Sequence, residues 1–225
     1  MTAHPPIEGL TVTWIGHSTV LVQMDNINVL TDPVFSSCCS PVRLPGVGVR
    51  YRRAACTVDQ LPHINAVIIS HNHFDHLDYQ SVLQLNQRFG ADLCWFVPSG
   101  LKTWMQSSGC QHVIELNWWQ EHEFIKVGFS GSFKFVCVPA QHWSKRGVWD
   151  DNKVCVSSFS YSVLAASLVV HSATPRHQPP QRMVLSQVNC FIQCDVVSSQ
   201  ISLDSVQPHD AREPWCTPVL KWGSC

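Results

Sequence analysis

Ala66-Val67-Ile68-Ile69-Ser70-His71-Asn72-His73-Phe74-Asp75-His76-Leu77-Asp78 is the stretch that decides the reading of this chain. Four apolar, β-favouring residues run into a polar turn that packs three histidines and a carboxylate into the six positions His71 to His76. Imidazole and carboxylate at that density suit a borderline cation such as Zn²⁺. An H-x-H-x-D-H alternation on a tight turn aims two pairs of ligands at two adjacent metals: His71 and His73 at one, Asp75 and His76 at the other. The alternative is a polar loop with chance histidines, in a chain that carries 12. The strand before the turn and the helix-like segment after it favour a built metal site.

Working outward, the punctuation is orderly as far as Val154. Leu10 to Val22 holds two short apolar stretches around Gly16-His17-Ser18-Thr19. Asp25-Asn26 signals a turn, and Ile27 to Thr31 returns as a strand that ends at Asp32-Pro33. Ser36 to Arg53 reads as loop and carries Arg43, Arg50, Arg52 and Arg53. Thr57 with Gln60 three residues on forms a capping box for a short helical turn. After the strand Ala66 to Ser70 and the histidine turn, the pattern predicts a helix over Tyr79 to Phe89, stopped by Gly90. Strands follow at Leu93–Val97, Val113–Leu116 and Phe133–Val138, with a helix over Leu101–Gln106; His142 lies just beyond the last strand. Strand, loop and helix in alternation predict an α/β fold with chemistry at the carboxyl ends of strands.

Composition narrows the function classes. A net charge of −1 with 14% charged residues gives no broad attraction for nucleic acid. Met1 to Pro6 has neither a basic nor an apolar signal region, so the expectation is an intracellular chain with no signal peptide, on the cytoplasmic side. Eleven cysteines at scattered spacings then read as reduced thiols. From Cys155 onward the character changes: the rest of the chain holds a single glycine, Gly223, and twelve serines, with no periodicity that persists. The expected organisation is a unit over residues 1–154 and an unmatched, disordered or loosely packed tail over 155–225.

Gly16-His17-Ser18-Thr19, Thr31-Asp32-Pro33, His71-Asn72-His73-Phe74-Asp75-His76 and Gln141-His142-Trp143 resemble the successive signatures of the metallo-β-lactamase superfamily. Leu77-Asp78-Tyr79, Arg88-Phe89-Gly90, Trp95-Phe96-Val97-Pro98, Trp118-Trp119 and Asp150-Asp151-Asn152-Lys153 are similar to its phospholipase D branch that hydrolyses N-acylphosphatidylethanolamine. The resemblance covers about Ile7 to Val154. It implies the first half of an αβ/βα sandwich. It also implies a three-histidine zinc site of His71, His73 and His142, with Asp75 and His76 at a second zinc and Asp75 as the catalytic carboxylate. Two zinc ions belong to the family. The bridging Asp and last His of the second half have no matching context here, so one zinc at most and impaired turnover are expected. Asp195, Asp204, His171, His177 and His209 are the tail residues of suitable type.

Asp32 follows a strand and is placed to orient a metal-bound imidazole, against a reading as a turn-forming residue before Pro33. His17 reads as a structural histidine rather than a ligand. Arg52 and Arg53, with Arg43 and Arg50, offer phosphate contacts, or simply a solvated loop. Trp118, Trp119 and Trp143 suit a bilayer interface or a cleft wall. The implied partners are a phospholipid substrate and peripheral membrane contact, not nucleic acid, and a homodimer is permitted. Another metallo-β-lactamase-fold hydrolase and a non-catalytic zinc-binding remnant stay open as alternatives.

Overall fold

The computed structural model describes residues 10–24, 26–40, 48–125, 132–163, 166–171, 189–193 and 219–222. An antiparallel meander opens the chain: β1 (Leu10–Gly16), β2 (Thr19–Met24) and β3 (Ile27–Thr31). To its edge are added, in parallel, β4 (Ala66–Ile68), β5 (Cys94–Pro98) and β6 (His112–Leu116). Two helices, α1 (Tyr79–Phe89) and α2 (Lys102–Ser107), are the crossovers. A second sheet begins with β7 (Glu121–Ile125), β8 (Ser132–Pro139), β9 (Ser157–Val163) and β10 (Ala166–His171), all antiparallel. It ends with β11 (Asn189–Gln193), parallel to β10, while β12 (Val219–Trp222) pairs antiparallel with β1 of the first sheet. This is the α/β architecture that the strand–loop–helix grammar predicts.

Alternation along the strands divides the core in two. Val67, Trp95 and Val97 face α1 and α2, joining Val82, Leu85, Phe89 and Met105. Their neighbours Ala66, Ile68, Cys94 and Phe96 face the second sheet, joining Phe133, Phe135, Cys137 and Phe159. A sheet covered on both faces needs strands apolar on both sides, which is why β3, β4 and β5 are buried at every position. Phe96 and Phe135 stack across the two sheets at 4.0 Å between ring centroids. Burying a side chain of that size contributes about 2 kcal/mol.

Helix α1 starts where its sequence says it should. Asp78 caps it by accepting from Ser81 N at 3.3 Å, and Gly90 ends it at φ +53°, a left-handed value that suits glycine. Val82, Leu85 and Phe89 form its buried face. Its capped end follows directly on the histidine turn, so the cap and the turn are fixed together.

Strand β7 and the strands β9 to β12 escaped the sequence reading. Strand β7 is carried by Glu121, His122 and Glu123, too polar to read as strand; its inward residues His122 and Phe124 pair with Phe135 and Phe133. Strand β9 lies just past the expected boundary at 154, and Ser158, Ser160 and Ser162 alternate with Phe159, Tyr161 and Val163 along it. It pairs with β8 along its length, from Phe133↔Val163 to Pro139↔Ser157, so the second sheet runs on beyond that boundary. His177, Asp195, Asp204 and His209 lie outside the described residues, as does Arg43. Among the described residues, no helix is long and apolar enough to cross a membrane.

Candidate metal centre

Four segments meet at one end of the sheets: the β1–β2 hairpin turn, Asp32 after β3, the turn after β4, and the loop after β8. Ser157 N donates to Ser70 O at 3.1 Å and ties the second sheet to the histidine turn. Across that seam His142 comes to His73, with His142 Nε2 3.2 Å from His73 Nδ1. His71 Nε2 lies 2.9 Å from the same nitrogen. The imidazole of His142, 69 residues beyond His73 in the sequence, therefore joins those of His71 and His73 at one point.

Protons alone do not account for this arrangement. Ser70 Oγ donates to Asp32 Oδ2 at 2.8 Å and lies 2.8 Å from His71 Nδ1. A hydroxyl has one proton, so Ser70 accepts from His71 Nδ1–H, which leaves His71 Nε2 as a bare lone pair. One proton on His73 Nδ1 satisfies His71 Nε2 but then faces His142 Nε2 without serving it. A cation resolves the conflict, because it accepts all three lone pairs. Tetrahedral bonds of ~2.0–2.1 Å set ligand nitrogens roughly 3.3 Å apart, close to the spacing seen. The residues fit a metal ion.

A second group stands beside the first. His17, Asp75 and His76 bring their ligand atoms within 4.8 Å of one another. His17 Nε2 is 3.4 Å and His76 Nε2 3.8 Å from Asp75 Oδ2. His76 Nδ1 lies 2.8 Å from Asp32 Oδ2, so its Nε2 points at the group. Asp32, fully buried, thus touches both groups: directly through His76, and through Ser70 to His71. Its Oδ1 accepts from Ser70 N at 2.8 Å and locks the strand end in place.

Electrostatics prepare the first group for a cation. Burial, then the neighbouring His76, His73, His142 and His17, push His71 far below the usual histidine range. Burial and His142 lower His73 as well. Burial also presses His76 down, but the hydrogen bond and charge of Asp32, with Asp75, outweigh it and raise the group. His17 is lowered by burial and by His76, against the pull of Asp75 and Asp32.

Arg146 holds the histidine turn from behind. Its Nη1 donates to Leu77 O at 2.7 Å and Asn72 O at 3.1 Å, and its guanidinium lies 4.2 Å from the Phe74 ring centroid and 4.9 Å from that of Trp104. Burial brings this arginine down to about 10, against Asp78 and Asp150. Trp143 packs against His73 at 4.2 Å while half exposed, forming one wall of the opening.

Of the residues singled out from sequence, the structure brings together His71, His73, His142, Asp75, His76 and Asp32. Arg52 and Arg53 are exposed on their loop. Arg50, on the same loop, donates instead to Val34 O beside the hairpin. His17, read from sequence as structural, stands in the second group, and Arg146 was not singled out from sequence. For His17 the signal lay in the Gly16-His17 pair, since a turn there returns the chain to the strand ends; for Arg146 the sequence carries no signal.

Comparison with known proteins gives the family and the fold. Residues 27–179 match the beta-lactamase superfamily domain. An "N-acyl-phosphatidylethanolamine-hydrolyzing phospholipase D 1" from Caenorhabditis elegans is 38% identical over 149 residues, which make up 64% of this chain and 41% of that protein. A "N-acyl-phosphatidylethanolamine-hydrolyzing phospholipase D, mitochondrial" from Saccharomyces cerevisiae is 34% identical over 65% of this chain and 30% of its own length. The chain therefore spans well under half of these curated relatives. In fold it is similar to a metallo hydrolase from the archaeon Ignicoccus hospitalis, with a TM-score of 0.52 at 20% identity, covering 73% of this chain and 60% of that one.

Proposed function

This chain belongs to the beta-lactamase superfamily, and from that premise we propose that it is a zinc-dependent phosphodiesterase of the phospholipase D type, acting on N-acylphosphatidylethanolamine. The observation that carries the hydrolytic reading is the convergence of His71, His73 and His142 on one point beside a second group that holds Asp75. The substrate class rests on the relatives whose names specify it. Cleavage of the phosphodiester on the headgroup side would give phosphatidic acid and an N-acylethanolamine.

His71, His73 and His142 would hold one zinc, and Asp75 with His76 would serve a second. Zinc in such a site supplies Lewis acidity toward a phosphoryl oxygen and an acidified water at neutral pH. The chain's own residues set the conditions for it. Ser70 and Asp32 keep the Nδ1 proton on His71, and Asp32 does the same for His76, so both rings present Nε2 lone pairs. Asp75, about half exposed, is the carboxylate open to solvent and to an incoming phosphodiester. Trp143 narrows the opening, and its exposed ring suits contact with acyl chains or a bilayer interface.

A slower hydrolase, or a domain that holds metal without turnover, is the second reading. It is favoured because no further carboxylate joins either group among the described residues. Vesicles containing N-acylphosphatidylethanolamine, incubated with zinc-loaded protein, test the first reading through release of N-acylethanolamine. The expected result is release that His142→Ala abolishes. Metal binding without release would establish the second reading, and absence of metal binding would remove both.

A further inference from the structure

We propose that His17 is the third protein ligand of the second metal position, completing with Asp75 and His76 a site built wholly from the first sheet. This rests on the reading of the chain as a metal-binding domain, and it extends that reading to a residue outside the histidine turn. The hairpin places the ring. Strands β1 and β2 pair at Gly16↔Thr19 across an irregularity between Trp14 and Gly16, which leaves His17-Ser18 as a two-residue turn. Trp14 Nε1 donates to His17 O at 2.8 Å and pins the turn's backbone.

The conformation of that turn is costly for a histidine. His17 has φ +51°, whereas Ser18 is not in the positive region. A two-residue hairpin turn with positive φ only at its first central residue is of the II′ kind, which prefers glycine there. A side chain kept at such a position against local preference points to a use for that side chain.

The ring itself is not satisfied as a structural histidine's would be. Nδ1 is buried without a hydrogen-bond partner among the described residues. Its polar contact is Nε2 to Asp75 Oδ2 at 3.4 Å, and it meets the His76 ring edge-on at 5.0 Å between centroids. Two nitrogens and one carboxylate oxygen at separations of 3.4 and 3.8 Å, all within 4.8 Å, match the spread of ligands around one ion with bonds of ~2.0–2.2 Å. Position two is thereby independent of the second sheet, whereas position one needs His142 from it.

Titration of metal-free protein with Co²⁺, followed by absorbance and by metal count after gel filtration, tests the assignment with no reference to turnover. The expected count is two per wild-type chain, one for His17→Gly, one for His142→Ala and none for the pair. Metal-free His17→Gly is further expected to unfold at the wild-type temperature or above it, since glycine relieves the turn; a purely structural histidine would give the opposite shift. Two ions in His17→Gly, or a single ion in wild type that His142→Ala removes, would overturn the assignment while leaving the metal-binding reading intact. No bound cobalt in wild type would overturn both.

Discussion

Asp32→Asn is the most informative single substitution, because it changes one atom in the group that both metal positions share. In the wild type, Asp32 Oδ2 accepts from Ser70 Oγ and from His76 Nδ1, each at 2.8 Å, while Oδ1 accepts from Ser70 N. Asparagine keeps the oxygen that serves Ser70 N but sets an N–H₂ donor against two donors. Ser70 must then turn its proton toward His71 Nδ1, which shifts the His71 proton to Nε2, where a metal would bind. His76 loses the acceptor that holds its Nδ1 proton. Both positions are damaged although the substituted residue touches neither ion. Loss of such a partner costs about 10–100-fold in metal affinity, or about 1.4–2.7 kcal/mol per position. Fold stability falls too, by about 1–3 kcal/mol, for a buried polar group left unpaired. The assay is competition for Zn²⁺ against a chromogenic chelator, with urea denaturation of the metal-free protein beside it. Wild-type affinity in Asp32→Asn, or weakening at the His76 position alone, would refute the relay through Ser70.

Other expectations follow from the same contacts. Arg146→Met removes two hydrogen bonds to turn carbonyls and two ring contacts; a loss of about 3 kcal/mol in urea unfolding is expected, with weaker metal binding. Phe135→Ala opens the layer between the sheets and should cost about 3–5 kcal/mol, loosening the His142 position while leaving the Asp75 position bound, as chelator competition on the two single-position variants would read. The metal-free protein should lose stability in acid. His71 is lowered on folding, so the unfolded chain binds more protons below ~6.5. That contribution is present above pH 6.5 and falls by about 1.4 kcal/mol for each pH unit below it. His76 is raised and works in the opposite sense, stabilising at low pH and losing its contribution as pH rises. Urea titrations at pH 7 and 5.5 should therefore show a shallower acid loss in His71→Asn than in wild type.

The first sheet was legible because its signals are local. β3 ends at Asp32-Pro33, α1 is bracketed by Asp78 and Gly90, and β5 stops at Pro98, so capping and breaking residues fixed these elements to within a residue or two. The histidine turn was legible for the same reason, its ligands being close in sequence. β7 was not, because a strand whose outward face is Glu121 and Glu123 has too few apolar residues to show its period. β9 hid behind serine: in the sequence Phe159, Tyr161 and Val163 alternate with Ser158, Ser160 and Ser162, and the serines blurred the period. His17 was read as structural because its nearness to Asp75 and His76 depends on where a hairpin turn ends in space. Arg146 acts on carbonyls 74 and 69 residues earlier in the chain, a relation that no spacing encodes.

The two candidate ligand groups differ in what holds them, and this follows from the layers. His17, Asp75 and His76 hang from strands that share one ladder, β1 to β4, whose backbone hydrogen bonds fix their separations. His142 follows β8 of the other sheet, and among the described residues no strand pairing links the two sheets. Its distance from His73 is set by side-chain packing, the Phe96–Phe135 stack included, and by scattered hydrogen bonds: Ser157 N to Ser70 O, Cys155 N to Ser99 O, and Arg146 to the carbonyls of Asn72 and Leu77. Packing is non-directional and relaxes when a volume changes, whereas a hydrogen-bonded ladder does not slide by fractions of a register. An ion bound by His71, His73 and His142 is therefore also a clamp between the layers. Its binding free energy adds to the cohesion of the two sheets, because the site is complete only when they are together.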